Sequence, residues 1–172
     1  MAQIRKGGIL WKGTAVDVEG PALKAGDKAP ADFTLVANDM SAVSGKDLAG
    51  KPRIVLSVPS LDTGVCDTET RRFNQEAAKV PSVKVLTVSL DLPFAQKRWC
   101  GAAGIDRVQT LSDYKDRTFG PAWGVFVPSK GLLTRAVFVV DSHDTVRYVE
   151  YVKDATQEPD YDAALQAAKS LS

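Results

Sequence analysis

The stretch Arg53-Ile-Val-Leu-Ser-Val-Pro-Ser-Leu-Asp-Thr-Gly-Val-Cys66-Asp-Thr-Glu-Thr-Arg-Arg-Phe-Asn74 passes from one periodicity to another. Its first six residues form a run rich in β-branched side chains that ends at Pro59, the pattern of a fully buried central strand. From Cys66 to Lys79 the apolar positions Phe73, Ala77 and Val80 recur at helical spacing, with Arg and Glu on the other positions and Pro81 as a stop. A buried strand feeding directly into a helix predicts an α/β fold.

The flanking sequence repeats the alternation. Val83-Lys-Val-Leu-Thr-Val-Ser-Leu90 reads as a second buried strand, and Pro93 to Ala103 as a short helix ended near Gly104. This βαβα order implies a parallel pair with a right-handed crossover. Val108-Gln-Thr-Leu111 is a short strand candidate, and the segment through Phe119 is weakly patterned. Ala136–Asp141 and Thr145–Val152 predict a hairpin around Ser142-His-Asp, and Asp160–Leu171 a closing helix with Tyr161, Leu165 and Ala168 on one face. On the N-terminal side, Ile9 to Ala29 alternates around Glu19-Gly20-Pro21, which predicts a hairpin with a Gly-Pro turn. Phe33-Thr-Leu-Val and a polar stretch at Lys46-Asp-Leu-Ala-Gly50 lead into the central strand. Together these elements predict a thioredoxin-like α/β sandwich with an N-terminal β-hairpin. With no repeat, low-complexity tract or linker, residues 1–172 read as one domain.

Composition narrows the function classes. A formal net charge of +1 supplies no field to gather nucleic acid or an anionic membrane, so neither partner is expected. The apolar stretch before Lys12 is too short for a signal-peptide core, which points to the cytoplasm. Two cysteines and one histidine, His143 in a polar turn, offer too few ligands for a zinc site and no basis for a Cys–His hydrolase. No metal or organic cofactor is expected. The cysteines do not form the framework of a small secreted domain, which leaves redox chemistry or simple packing.

Cys66 favours chemistry because it sits where a strand gives way to a helix. Free N–H groups of the first turn and the positive end of the helix dipole stabilise an anion, and the thiolate is the nucleophilic form of cysteine. Thr63, three residues earlier, is placed for its hydroxyl to bond the sulfur and a bound peroxide, or else to cap the helix. Pro59 has no N–H and either shields the sulfur from water or only terminates the strand.

The spacing Pro59-x-x-x-Thr63-x-x-Cys66 resembles the active-site motif of the peroxiredoxins. The longer string Ser60–Asn74 is similar to their bacterial thiol peroxidase branch, as are Asp91–Gly101, Gly131–Asp141 and the ending that begins at Glu158. The resemblance implies that Cys66 is the peroxidatic residue, that Cys100 resolves it within the same chain, and that Arg135 supplies an active-site guanidinium. It also implies hydroperoxide substrates, thioredoxin as reductant and a homodimer. Cys100 lies 34 positions beyond Cys66 at the end of a helix, so a disulfide between them requires local unwinding, which neighbouring Trp99 would report. Arg71 is assigned a minor role near the sulfur, and Trp11 and Trp123 are read as packing residues. Two competing readings are a thiol–disulfide oxidoreductase, disfavoured by the lack of vicinal cysteines, and a redox sensor that switches a surface without turnover.

Overall fold

The computed structural model describes residues 2–171. Its strands are β1 (Ile4–Trp11), β2 (Thr14–Glu19), β3 (Thr34–Ala37), β4 (Ala42–Ser44), β5 (Arg53–Ser57), β6 (Lys84–Ser89), β7 (Val108–Ser112), β8 (Phe126–Val127), β9 (Leu132–Leu133), β10 (Ala136–Val140) and β11 (Val146–Tyr151). Its helices are α1 (Gly45–Leu48), α2 (Gly64–Ala77), α3 (Pro93–Ala103), α4 (Phe119–Ala122) and α5 (Tyr161–Lys169). The main sheet has seven strands in the order β11-β10-β5-β6-β7-β3-β4, with β5, β6 and β7 parallel and the rest joined antiparallel.

All five residues of β5 are buried, as the β-branched run predicts, because the strand is sandwiched on both faces. Alternation divides them. Ile54 and Leu56 pack with Phe73 and Ala77 of α2 and with Ala164, Leu165 and Ala168 of α5, whereas Val55 faces a second core containing Phe119, Trp123 and Phe138. Each such side chain contributes about 1.5–3 kcal/mol by leaving water, so the two-sided burial fixes the register of the central strand. Trp123 is a packing residue, stacked on Phe119 and edge-on to Phe138. The α3 helix follows its sequence signals, with Pro93 in the first turn and Gly104 left-handed beyond the end. His143 is exposed in the turn before β11.

The N-terminal hairpin exists, but its turn is not at Gly20-Pro21. β1 and β2 pair through Trp11 and Thr14 around Lys12-Gly13, both with positive φ (52° and 79°), the geometry a two-residue hairpin loop prefers. Gly20 serves another purpose. There the chain leaves the hairpin and crosses Pro121–Gly124 so closely that a Cβ on Gly20 would lie 2.0 Å from the Pro121 carbonyl oxygen. Arg5 ties the crossing together, donating to the carbonyls of Gly20 and Gly124 at 2.9 Å each. The hairpin continues through β8 and β9 into a four-stranded sheet, β1-β2-β8-β9. Among the described residues no helix is long and apolar enough to cross a membrane.

Candidate active site

Cys66 is the third residue of α2, and its side chain is fully buried. The first helical bond runs from Asp67 N–H to the Thr63 carbonyl at 2.9 Å, so the N–H groups before it have no partner within the helix. The strand end at β5 and the helix start therefore aim a positive dipole end at the sulfur.

Arg135 reaches the same point from the other side of β5. Ala136 pairs with Ser57, and the Ser57 hydroxyl donates to the Thr134 carbonyl at 2.8 Å, which fixes the approach of the segment to the C-terminal end of β5. The buried guanidinium is held by three bonds: Nε donates to the Ala155 carbonyl at 3.0 Å, Nη1 to the Glu69 carboxylate, and Nη2 to Cys66 Sγ at 3.2 Å. Burial works against the Arg135 charge, but Glu69 and Cys66 more than offset it and raise its pKa.

Glu69 does not lie on the polar face of the helix that the sequence suggests. Cys66, Glu69, Thr70, Phe73 and Ala77 share the inner face, and Glu69 is wholly buried. The missed signal was the i, i+3 spacing from Cys66 to Glu69, which places a carboxylate one turn below the thiol. Burial pushes the Glu69 carboxyl up to about 7, against the opposing pull of Arg135. Its Oε1 has no hydrogen-bond partner among the described residues.

Thr63 occupies the N-cap position without a side-chain cap bond. Its hydroxyl donates to the Ser60 carbonyl at 2.9 Å rather than to the sulfur, because the turn before the helix folds that carbonyl back toward it. Arg71 is also displaced from the expected position. It pairs with Asp67 at 2.9 Å and lies over the Trp99 ring, 5.8 Å from its centroid, on the outer side of α2. A cleft of about 400 Å³ opens above Arg135, lined among others by Pro59, Thr63, Val65, Trp11 and Ala155. Trp11 thus does more than pack: it forms one wall of the cleft.

Cys100 is half-buried in the last turn of α3 and, like Cys66, is a free thiol. Its Sγ lies 3.4 Å from Thr110 Oγ1, which donates to Asn38 Oδ1 at 3.0 Å, and it faces a separate cleft beside β7. On its other side it packs against the apolar cluster of Val58, Leu61, Cys66 and Trp99. The structure therefore brings Cys66, Arg135, Thr63 and Pro59 together and holds Cys100 behind them.

The Redoxin family profile matches residues 24–165. A thiol peroxidase of Halalkalibacterium halodurans is 54% identical over 94% of this chain and 97% of its own length, and one of Bacillus subtilis is 52% identical over 95% and 97%. A peroxiredoxin-like protein from Aquifex aeolicus superposes with a TM-score of 0.90 at 38% identity, covering 99% of both chains. The thiol peroxidase of Chromobacterium violaceum shares the fold, with a TM-score of 0.85 over 94% of this chain and 95% of its own, at 20% identity. A thiol under a buried guanidinium, on a fold that these relatives share over nearly its whole length, places the chain in the Redoxin family, among the bacterial thiol peroxidases.

Proposed function

We propose that the protein reduces hydrogen peroxide and alkyl hydroperoxides through Cys66, forms a Cys66–Cys100 disulfide, and is recycled by thioredoxin. The observation that carries this reading is the 3.2 Å contact between Arg135 Nη2 and Cys66 Sγ inside the first turn of α2. A permanently charged, rigidly held guanidinium beside a helix N-terminus offers planar donors to the sulfur and to a peroxide oxygen. Thr63 has its proton on Ser60, so its lone pairs are free to accept from the hydroperoxyl O–H.

In the first step the Cys66 sulfur attacks the terminal peroxide oxygen, the O–O bond breaks, and the departing oxygen takes a proton to leave as water or alcohol. Cys66 becomes a sulfenic acid. Cys100 then attacks that sulfur, water leaves, and the disulfide forms. Both cysteines start in or beside folded helices, so α2 and α3 unwind locally for the sulfurs to meet. A thioredoxin dithiol restores the two thiols by exchange. Pro59 in the cleft wall limits access of water. We further place the protein in the cytoplasm as a homodimer, on the resemblance to the thiol peroxidases.

Stopped-flow peroxide consumption by the purified protein, with and without a thioredoxin system, tests the proposal. Rapid turnover that needs the dithiol supply and vanishes in Cys66→Ser is expected; one slow oxidation per chain would identify a sensor instead.

A further inference from the structure

The cleft above Arg135 is completed by the tip of the N-terminal hairpin, and one carboxylate holds that tip. Asp154 Oδ2 accepts from Gly13 N–H at 2.8 Å, and Oδ1 from Lys12 N–H at 3.3 Å. Oδ1 also accepts from the Thr156 N–H and hydroxyl at 2.9 and 2.6 Å. These bonds bind both positive-φ residues of the turn to the segment that follows β11. Leu10 N–H donates to the Lys153 carbonyl at 2.8 Å and Ala155 N–H to the Leu10 carbonyl at 2.9 Å, extending the attachment to the residue before Trp11. Trp11 packs against the cluster of Ile9, Val18, Val127 and Ala155, with the Lys130 ammonium 5.8 Å from its ring centroid. The indole is thereby fixed as a wall facing Pro59 and Val65.

The size of the cleft makes that wall selective. A water molecule takes about 30 Å³ of liquid volume, so hydrogen peroxide fills a small part of about 400 Å³ and reacts at the Arg135 end without touching Trp11. A hydroperoxide carrying an aryl or branched alkyl group must place its carbon somewhere in the remainder, whose apolar side includes Trp11. We propose that Asp154 is a positioning residue which, by clamping the hairpin turn, holds Trp11 as the wall that selects hydroperoxides bearing a bulky apolar group. This deepens the peroxidase reading and rests on it.

The test compares kcat/KM for cumene hydroperoxide with that for hydrogen peroxide in the wild type, Trp11→Ala, Asp154→Ala and the double variant. Either single substitution is expected to lower the ratio about tenfold, the scale of a hydrophobic pocket contact. The double variant should fall no further, because both changes remove one wall. An unchanged ratio in Asp154→Ala, or losses that multiply in the double variant, would overturn the proposal. If Asp154→Ala does not fold, Asp154→Asn, with one acceptor oxygen for four donors, is read by the same ratio, and no change there is equally fatal. A parallel NMR titration with 2-phenylpropan-2-ol, the alcohol product, needs no turnover. About tenfold weaker binding to the Asp154 variant is expected, and equal binding overturns the clamp even if the wild type consumes no peroxide, a result that would instead refute the peroxidase reading.

Discussion

The indole N–H of Trp99 donates to Asp67 Oδ1 at 2.9 Å, so the residues next to the two cysteines are bonded across the α2–α3 contact. Asp67 follows Cys66 and Trp99 precedes Cys100. This bond and the cation–π contact of Arg71 above it hold together the helix segments that carry the two sulfurs.

Trp99 should accordingly report the oxidation. One equivalent of hydroperoxide is expected to change the intrinsic fluorescence of the wild type as the indole leaves its buried site, and Trp99→Phe should remove most of that change. An equal fluorescence change in the variant would place the movement elsewhere.

Cys100→Ser separates resolution from attack. It should consume the first equivalent of peroxide, stop as a sulfenic acid trappable at Cys66, and lose thioredoxin-supported turnover. Tryptic peptides of the oxidised wild type should contain one cross-link joining Cys66 and Cys100, on a monomer-sized band in a non-reducing gel. Full turnover in Cys100→Ser would require a one-cysteine mechanism.

Arg135→Ala should lower the second-order rate with peroxide by 10²–10³, roughly the effect of losing one oxyanion donor. It should also reduce stability by about 3–5 kcal/mol, because Glu69 is left buried without its partner. The stability loss should be greater at pH 8 than at pH 5.5, where Glu69 is protonated and neutral. A pH-independent loss in denaturant titrations would contradict the ion pair.

Glu69 sets a pH slope in the wild type. Its folded pKa of about 7 lies above the usual 4.5, so the native state holds a proton that the unfolded chain has released, and stability falls as pH rises from about 4.5 to 7. Asp113, pushed up to about 6 by burial, adds to the same fall at the lower end of this range. Glu69→Gln keeps an acceptor for Arg135 and removes the ionisation, so thermal melts of this variant should show a shallower decline that retains only the Asp113 part. An undiminished slope would contradict the assignment.

The sequence made the central architecture legible because β5, β6 and α3 carry strong local signals: unbroken β-branched runs, Pro93 at a helix start and Gly104 at its end. The hairpin turn was misplaced because Gly20-Pro21 looks like a turn by itself, whereas its real function depends on Pro121–Gly124, a hundred residues away. Lys12 in a left-handed conformation carries no comparable signal. The motif residues Pro59, Thr63 and Cys66 were visible through their spacing, yet the direction of the Thr63 hydroxyl depends on how the preceding turn folds. Glu69 escaped notice because a charged residue on a helix normally faces water. Only the arrival of Arg135 from the segment just before β10 makes its burial tolerable. Trp11 was similarly misread, since its position over the cleft depends on Asp154 near the other end of the chain.

That dependence reaches back to synthesis. The contacts that finish the cleft span 69 positions for Arg135 with Cys66 and 141 for Asp154 with Gly13. Closing such long loops costs entropy before any contact repays it. On the ribosome, the hairpin emerges early and can pair with β8 once Phe126 is out, but its turn stays unclamped until Asp154 and Thr156 have followed. A nascent chain therefore carries Cys66 for some 90 residues of elongation without its walled cleft, and at typical rates of about 5–20 residues per second this lasts roughly 5–20 s. During that interval the thiol meets electrophiles without the guanidinium and walls that surround it after folding, so folding is what decides which of them reach it.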